Sequence, residues 1–346
     1  MNNQKNVKKI VTFGEIMLRL APYNFERLIQ AKKFQIIYGG GEANVAVSLA
    51  AFGDQASFVS RLPKNMMGDA ALNSLRAYGV DINYIIRGGS RLGIYFIEHG
   101  ASIRPSKVLY DRANSATSQI EPGMVDWEMI FNGKDWFHIT GITPALSKSC
   151  ASVSLEAVWA AKKAGLMVSC DLNYRKKLWT REEANRTMSE LVQYVDLIIA
   201  NEEDAADVFD IHAVDSDITG GSLSAEGYRS VAERLAEASK AKYIAITLRE
   251  SLSASDNNWS ALLYDGSQVY TSKKYPLHIV DRVGGGDSFG AGLIHALVND
   301  WDSQKALDFA VAASAMKHTI PGDMNLVSEQ EVLTVAGGDL SGRVQR

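Results

Sequence analysis

The stretch Asp281-Arg-Val-Gly-Gly-Gly-Asp-Ser-Phe-Gly-Ala-Gly292 follows the short run His278-Ile-Val and leads into a segment with helical character, residues 289–297. Three successive glycines allow positive φ angles and let main-chain N–H groups approach a ligand closely. A helix that begins just after them adds the positive end of its dipole, so the turn suits a phosphate. Because the carboxylate of Asp287 would repel a phosphate, we interpret it as a base that takes a proton from a hydroxyl attacking the phosphorus.

A second interpretation of the same stretch is structural. Gly284, Gly285 and Gly286 would then form an ordinary turn between a strand and a helix, with Asp287 as the N-cap of the helix. The stretch is neither a Walker A sequence, since it has no Gly-Lys-Ser/Thr, nor a Rossmann G-x-G-x-x-G. The residues alone leave both interpretations open.

A second glycine-rich stretch, Gly39-Gly-Gly-Glu-Ala-Asn-Val-Ala-Val-Ser-Leu-Ala-Ala-Phe-Gly53, also lies where a strand is followed by a helix. Its apolar residues Val45, Leu49 and Phe52 have helical spacing, and Gly53 is placed to end the helix. The glycines either hold a polar ligand on main-chain amides or make a tight turn before a buried amphipathic helix. The spacing fits both alternatives equally well.

Both stretches resemble signatures of the ribokinase-like (PfkB) carbohydrate kinases. The resemblance implies a three-layer α/β/α fold, with a mostly parallel central sheet and a small β lid. It implies that Gly284, Gly285 and Gly286 form the anion hole for the transferred phosphoryl group and that Asp287 is the catalytic base. It further implies that Gly40, Gly41 and Asn44 hold sugar hydroxyls. One departure is Arg282, which stands where many members carry Thr or Pro.

The rest of the chain alternates strands with single helices, most regularly from Trp136 onward. Such alternation predicts a parallel sheet with helices on both faces and ligands at the carboxyl ends of the strands. We therefore predict one kinase domain over residues 1–346. Residues 7–20 are read as one buried strand with a bulge or close approach at Gly14. Residues 251–260 are read as a polar loop.

Residues 93–99 and 107–110 are typical of a hairpin that interrupts this alternation. We predict a lid formed by residues 15–38 and 91–112. Because an unpaired strand edge favours association, we also expect a homodimer or a higher homo-oligomer. Four hairpin residues are candidates for closing over a small anionic substrate: Tyr95, Arg104, Tyr110 and Arg112. Strand packing is the simpler role for the two tyrosines, and solvation is the simpler role for the two arginines.

Polar residues follow several predicted strands. Asp171-Leu-Asn-Tyr-Arg175 resembles the 2-keto-3-deoxygluconate kinase branch of the family, which implies that Asn173 and Arg175 span a sugar acid and the nucleotide phosphates. The resemblance places Asn201 and Asp204 in a magnesium–phosphate network reached through water, with Asp204 one methylene shorter than the usual Glu. It also assigns Thr247 and Arg249 to the nucleotide and Asp323 to the sugar acid. The usual glycines after Thr247 are missing.

Composition narrows the class of protein. A net charge of −4 argues against nucleic acid as a main partner. No run of about 18 apolar residues predicts a membrane span, and the polar residues 1–9 do not resemble a signal peptide, so a cytoplasmic location is expected. Two cysteines, Cys150 and Cys170, cannot build a disulfide framework and are expected in the core.

Together these features predict an ATP-dependent kinase for a sugar-acid hydroxyl, most closely resembling 2-keto-3-deoxygluconate kinase. ATP and Mg²⁺ are the expected cofactors, and a monovalent cation is considered as a third. A neutral-sugar kinase of the fructokinase or ribokinase type is the alternative enzyme. A non-catalytic sugar or nucleotide sensor is the alternative outside enzymes, since fold does not determine function, but a sensor has no need of the base Asp287.

Overall fold

The computed structural model describes residues 7–201, 203–212 and 225–342. In chain order, its strands are β1 (Lys9–Phe13), β2 (Met17–Pro22), β3 (Phe34–Gly39), β4 (Gln55–Leu62), β5 (Ile85–Arg87), β6 (Ile94–Glu98), β7 (Lys107–Asp111), β8 (Trp136–Thr140), β9 (Met167–Asp171), β10 (Leu197–Asn201), β11 (Tyr243–Ser251), β12 (Asp256–Tyr264), β13 (Val269–Thr271) and β14 (Tyr275–His278). Its helices are α1 (Gly41–Ala51), α2 (Met66–Ala77), α3 (Trp127–Phe131), α4 (Ile142–Ala145), α5 (Lys148–Lys163), α6 (Arg181–Leu191), α7 (Asp204–Phe209), α8 (Ala225–Ser239), α9 (Gly285–Val298), α10 (Ser303–Lys317) and α11 (Glu329–Ala336).

The main sheet has the strand order β13-β12-β11-β10-β9-β8-β1-β4-β5, and β14 pairs with β12 beside this path. The strands from β11 to β5 pair in parallel, whereas β12 runs antiparallel to β11, β13 and β14. This is the mostly parallel sheet that the alternation predicts. Its central strands bring the segments after β8, β9, β10 and β11 to one edge, where ligands gather in such sheets.

The sheet is covered on both faces, because alternate side chains of each strand point to opposite sides. In β10, Leu197 and Ile199 join one core cluster, while Ile198 and Ala200 join the other. The first cluster includes buried residues of α1, α9 and α10, and the second includes buried residues of α5, α6 and α8. The predicted three-layer α/β/α arrangement is therefore confirmed.

A separate small sheet has the strand order β3-β2-β6-β7. Strand β2 pairs in parallel with β6, and the pairs β2–β3 and β6–β7 are antiparallel. The hairpin predicted around residues 93–110 is thus confirmed as β6 and β7. The small sheet contributes its own buried residues, including Met17 and Tyr95.

The prediction of one strand over residues 7–20 is wrong, because β1 and β2 belong to different sheets. The chain leaves the main sheet at Gly14, where it approaches α1 closely. A Cβ on Gly14 would lie 2.0 Å from Oε2 of Glu42. The predicted close approach is therefore confirmed. Because both strands are buried, their residues look alike in sequence, and the apolar run does not show where one strand ends and the next begins.

The prediction of a polar loop over residues 251–260 is also wrong. Strand β11 extends to Ser251, and β12 begins at Asp256 with Asn257 opposite Ser251. Polar side chains lie on this antiparallel extension because much of it faces solvent, as at Arg249 and Glu250. Pairing with a neighbouring strand satisfies the main chain whatever the local side-chain composition.

Two smaller observations concern the cysteines and the length of the helices. Cys150 and Cys170 are both free and buried, as predicted. Throughout the described part of the chain, no helix combines the length and the apolar character needed to cross a bilayer.

Candidate active site

The predicted glycine turn lies at the start of α9. Gly284 is the N-cap residue with φ 84°, in the left-handed region that favours glycine. A Cβ on Gly284 would lie 1.8 Å from the main-chain oxygen of Asp323, and one on Gly285 would lie 2.4 Å from Cε1 of His318. Gly286 is exposed, and a Cβ there would meet nothing within 4 Å. Two glycines are therefore needed for packing, and the third leaves the helix N-terminus open to a ligand.

Asp287 lies in the first turn of α9 and contacts the second glycine segment. The Nδ2 atom of Asn44, on α1, donates to Oδ2 of Asp287 at 2.7 Å. Gly41, at the start of α1, lies on the other side, since a Cβ there would be 3.6 Å from Oδ1 of Asp287. The structure thus brings the N-termini of α1 and α9 together at this carboxylate. The N-cap interpretation of Asp287 is wrong, because Gly284 is the N-cap and Asp287 is the third residue of the helix.

Burial raises the pKa of Asp287 to about 6, and the charge of Asp323 adds to the increase. The hydrogen bond from Asn44 and the charges of Arg175 and Lys317 act in the opposite direction. A general base is most effective when its pKa lies near the working pH. Asp287 is therefore suited both in position and in basicity to accept a proton from a bound hydroxyl.

A buried carboxylate behind this contact, Glu42, was missed from sequence. Its Oε1 accepts from the main-chain N of Thr140 at 3.0 Å, from the Thr140 hydroxyl at 2.8 Å and from the Thr143 hydroxyl at 2.6 Å. Burial raises its pKa to about 7. Glu42 thus joins the first turn of α1, two residues before Asn44, to the end of β8. A single carboxylate in a helix that carries no other charged residue was the available signal.

The predicted residues after β9 also lie at this edge of the sheet. Burial, followed by the charges of Asp204 and Asp287, raises the pKa of Asp171 well above its usual value, while Arg175 lowers it. Asn173 has φ 42°, an uncommon left-handed value for a residue other than glycine. Arg175 donates to the main-chain oxygen of Tyr174, and no carboxylate ion pair with it is present in the described chain. Its guanidinium therefore remains suited to an anionic ligand.

Asn201 and Asp204 connect the ends of β9 and β10. Oδ1 of Asn201 accepts from the main-chain N of Glu203 and of Asp204. The Asp204 carboxylate accepts from the main-chain N of Tyr174 and of Asn201, both at 3.1 Å. Burial raises its pKa to about 6. Asp204 thus makes hydrogen bonds that shape both loops, and its indirect role toward a metal stays a prediction.

The nucleotide candidates Thr247 and Arg249 lie on β11, which pairs with β10. The Thr247 hydroxyl donates to the main-chain oxygen of Ala200 at 3.4 Å, and Arg249 is exposed. Burial, followed by the positive charge of Arg249, lowers the pKa of Arg282. Arg282 also donates to the main-chain oxygen of Ala254 at 2.8 Å. The departure noted at position 282 therefore adds positive charge beside the glycine turn.

Tyr95 and Asp323 belong to a buried network whose central residue, Arg19, was missed from sequence. Arg19 is 1% exposed and pairs with Asp323 at 2.5 Å and Asp281 at 2.6 Å. The Tyr95 hydroxyl donates to Oδ2 of Asp323. The signal for Arg19 was a single charge within the apolar strand β2. The network ties the small sheet to Asp281, at the start of the glycine turn, and to Asp323, in the segment after α10 that packs against Gly284. Direct contacts of Tyr95 and Asp323 with a substrate stay predictions.

The other small-sheet candidates already have protein partners. Arg112 donates from Nε to Oε2 of Glu15 at 2.8 Å, and its guanidinium carbon lies 5.4 Å from the centroid of the Tyr110 ring. Arg104 pairs with Glu98 at 2.9 Å and donates to the main-chain oxygen of Phe25. Arg104 therefore holds a surface loop, rather than offering a free charge. Arg112 is likewise occupied by an ion pair with Glu15, so contacts of Arg112 and Tyr110 with a substrate stay predictions.

Comparison with known proteins agrees with this geometry. A model of the pfkB family of carbohydrate kinases matches residues 7–330. The chain belongs to the pfkB carbohydrate kinase family, as the two glycine-rich signatures predict.

Three relatives are informative. A crystal structure of 2-dehydro-3-deoxygluconokinase from Thermotoga maritima is 49% identical, with a TM-score of 0.92 over 96% of this chain and 100% of that chain. The 2-dehydro-3-deoxygalactonokinase of Haloferax volcanii is 32% identical over 332 residues, covering 96% of this chain and 98% of its own length. A putative ribokinase II from E. coli, in complex with ATP and Mg²⁺, is 22% identical with a TM-score of 0.79, covers 95% of this chain and 98% of its own, and supports the fold alone.

Proposed function

We propose that this kinase transfers the terminal phosphoryl group of ATP to a hydroxyl of a sugar acid, with 2-keto-3-deoxygluconate (2-dehydro-3-deoxygluconate) converted to its 6-phosphate. The observation that carries the proposal is the carboxylate of Asp287, held by Asn44 beside the open N-terminus of α9. The names of the Thermotoga and Haloferax relatives support a 2-dehydro-3-deoxy sugar acid as the substrate class.

In the proposed reaction, the hydrogen bond from Asn44 to Oδ2 of Asp287 leaves Oδ1 to face the acceptor hydroxyl. Asp287 takes the hydroxyl proton as the oxygen attacks the terminal phosphorus in line, and the bond from this phosphorus to the β–γ bridging oxygen breaks so that ADP leaves. Main-chain N–H groups of Gly284, Gly285 and Gly286 stabilise the charge that develops on the phosphoryl oxygens. Gly40 and Gly41 allow the sugar to approach the start of α1.

The nucleotide would lie along the ends of the parallel strands, where Asn173, Arg175, Asn201, Thr247 and Arg249 are placed. The donor set does not form a complete metal cage, since no group of three acidic, histidine or cysteine side chains in the described residues is arranged to hold an ion. This fits Mg²⁺, which commonly binds through substrate phosphates and retains several waters. Bound there, Mg²⁺ would neutralise phosphate charge.

The test is a phosphate-transfer panel with ATP and five acceptors: 2-keto-3-deoxygluconate, 2-keto-3-deoxygalactonate, fructose, ribose and adenosine. We expect the highest kcat/KM with one of the two keto acids. Preference for fructose or ribose would contradict the sugar-acid proposal but leave the kinase assignment in place. No transfer to any acceptor would contradict the proposed reaction.

We expect kcat/KM to fall as the pH drops through about 6, because the active form of Asp287 is the carboxylate and burial raises its pKa to about 6. The sign follows from the role: a base is lost when it is protonated. Glu42, with its pKa raised to about 7, titrates in the same range and would broaden the profile. The measurement is a kcat/KM profile from pH 5 to 9 with ATP kept as its magnesium complex. A flat profile down to pH 5 would contradict the assignment.

Replacing Arg112 by Leu is expected to raise the KM for the sugar acid by roughly tenfold, with little change in the KM for ATP. An arginine–carboxylate hydrogen bond contributes about 1.5–3 kcal/mol, and about 1.4 kcal/mol corresponds to one decade. Arg91→Leu is the matched control, since Arg91 pairs with Asp111 on the surface of the same small sheet. If neither KM changes in Arg112→Leu, the proposed contact between Arg112 and the substrate carboxylate is refuted.

We also propose that the kinase is a homodimer joined through the small sheets. The outer residues Ile36 and Leu109, on the edge strands β3 and β7, are 63% and 59% exposed. Exposed apolar edge strands favour pairing with another chain. Light scattering at working concentration should give twice the chain mass, and Ile36→Lys with Leu109→Lys should give the monomer. A monomeric wild-type protein would refute this part of the proposal.

A further inference from the structure

Lys317, the last residue of α10, is fully buried and is assigned no contact with the reacting groups in the proposed reaction. Its relative exposure is 0%. Its Nζ donates to the main-chain oxygen of Ile320 at 3.1 Å and to that of Asp281 at 3.3 Å. These two carbonyl groups belong to different segments, the turn after α10 and the approach to the glycine turn. The Cε atom lies 3.2 Å from the position that a Cβ of Gly284 would occupy.

The ammonium group is held by carbonyl oxygens instead of a carboxylate. In the described chain, none of the ion pairs within 4.0 Å involves Lys317, and Arg19 is the cation that pairs with both Asp281 and Asp323. Burial lowers the pKa of Lys317, whereas the charges of Asp281, Asp323 and Asp287 raise it. An uncharged side chain of similar length would fill this space without the cost of burying an ion. The charge therefore requires an explanation other than packing.

Main-chain carbonyl groups that converge on a dehydrated cation are the way in which proteins hold monovalent ions such as K⁺. Here a side chain supplies the cation. Each oxygen of Asp281 already has a protein donor: Oδ2 accepts from Arg19 and from the main-chain N of Gly322, Oδ1 accepts from the main-chain N of Val283, and its main-chain oxygen accepts from Lys317. The residues at this place do not fit the monovalent cofactor considered from sequence.

We propose that the ammonium group of Lys317 acts as a tethered monovalent cation that positions the glycine-rich anion site and makes the enzyme independent of added K⁺. By joining the Asp281 and Ile320 carbonyl groups, Lys317 fixes the entry to Gly284 and hence the direction of the N–H groups that follow it. Lys317 is a positioning residue in this proposal, since it contacts the main chain and not the reacting atoms. The inference rests on the kinase function proposed above.

The first test uses the wild-type enzyme. Activity is measured at constant ionic strength with chloride salts of tetramethylammonium, sodium or potassium, and we expect the same kcat in all three, because a ligand that does not bind cannot shift the enzyme. A severalfold activation by K⁺ would overturn the proposal. This measurement depends on no variant and so remains decisive if a substitution prevents folding.

The second test separates charge from hydrogen bonding. Lys317→Gln keeps N–H donors but removes the charge, and Lys317→Ala leaves room for a free cation. We expect each to lower kcat by about tenfold or more with little change in either KM, because misplaced donors act mainly on the transition state. Methylammonium or K⁺ should restore several-fold activity to Lys317→Ala and none to Lys317→Gln. Lys305→Ala, an exposed lysine on the same helix, is the control and should match the wild type.

A readout without catalysis distinguishes this inference from the kinase proposal. The thermal midpoint of Lys317→Ala should rise with methylammonium or K⁺ relative to tetramethylammonium, whereas the wild-type midpoint should not. If no acceptor is phosphorylated but this midpoint shift occurs, the proposed function fails and the tethered cation stands. If Lys317→Gln retains full kcat, or if neither the activity nor the midpoint of Lys317→Ala responds to any cation, the tethered cation is refuted.

Discussion

Replacing Asp287 by Asn is expected to reduce kcat by roughly 10²-fold or more while leaving the fold and ATP binding intact. A positioned general base contributes about 10²–10⁴ in rate, and the amide of Asn cannot accept the hydroxyl proton. The substitution preserves shape, and the amide oxygen can still accept from Nδ2 of Asn44, which now donates at 2.7 Å to the carboxylate. The loss should therefore appear in kcat and not in the thermal midpoint.

The measurements for this variant are turnover with the preferred sugar acid, the affinity for ATP, and the thermal midpoint. Asp69→Asn, at an exposed position on α2, is the matched control and should be indistinguishable from the wild type. Near-wild-type turnover in Asp287→Asn would remove Asp287 from the mechanism. A large drop in thermal midpoint would instead assign the carboxylate a structural role.

Replacing Arg19 by Met is expected to destabilise the protein by about 3–5 kcal/mol, the usual range when one partner of a buried ion pair is removed. Arg19 pairs with two buried carboxylates, Asp281 and Asp323, and each of the three side chains is at most 2% exposed. The variant leaves both carboxylates without this partner in a medium where burying an unpaired charge is costly. Urea unfolding of the variant and the wild type measures the difference.

Two further proteins make this result interpretable. Lys274→Met removes a surface ion pair with Glu250, and such pairs contribute about 0–1 kcal/mol. The triple variant Arg19→Met, Asp281→Asn, Asp323→Asn removes the uncompensated charges and should regain part of the lost stability. If Arg19→Met unfolds no more easily than Lys274→Met, the network is not a major contributor to stability.

Much of the architecture could be predicted from local patterns. Alternating apolar strands and amphipathic helices predict a parallel sheet with two covered faces, because each strand side must be buried against a helix layer. The glycine turn at Gly284 could be predicted for a similar reason, since few residues other than glycine adopt φ near 84°. The family was predicted from the resemblance of the two glycine-rich stretches, residues 39–53 and 281–292, to its signatures.

Other features depend on residues that are far apart in the chain. The contact between Asn44 and Asp287 joins residues 243 positions apart, and the pair of Arg19 and Asp323 joins residues 304 apart. No local pattern shows that Arg112 finds Glu15 or that Arg104 finds Glu98. These pairings decide which charges remain available for a ligand: Arg104 and Arg112 are paired with carboxylates, whereas in the described chain Arg175 is not.

The residues themselves predicted an α/β fold with a parallel sheet and a glycine turn suited to phosphate, and the resemblance of two glycine-rich stretches to a family added the carbohydrate kinase class and favoured Asp287 as the candidate base. The assembled molecule decided the rest: that Asp287 is oriented by Asn44 instead of capping its helix, that Arg19 and Lys317 are buried beside the glycine turn, and that the apolar run at the start of the chain divides between two sheets. The physical reason is that turns and periodicity depend on neighbouring residues. The partner of a buried charge depends on which distant segment the folded sheets bring within hydrogen-bonding distance.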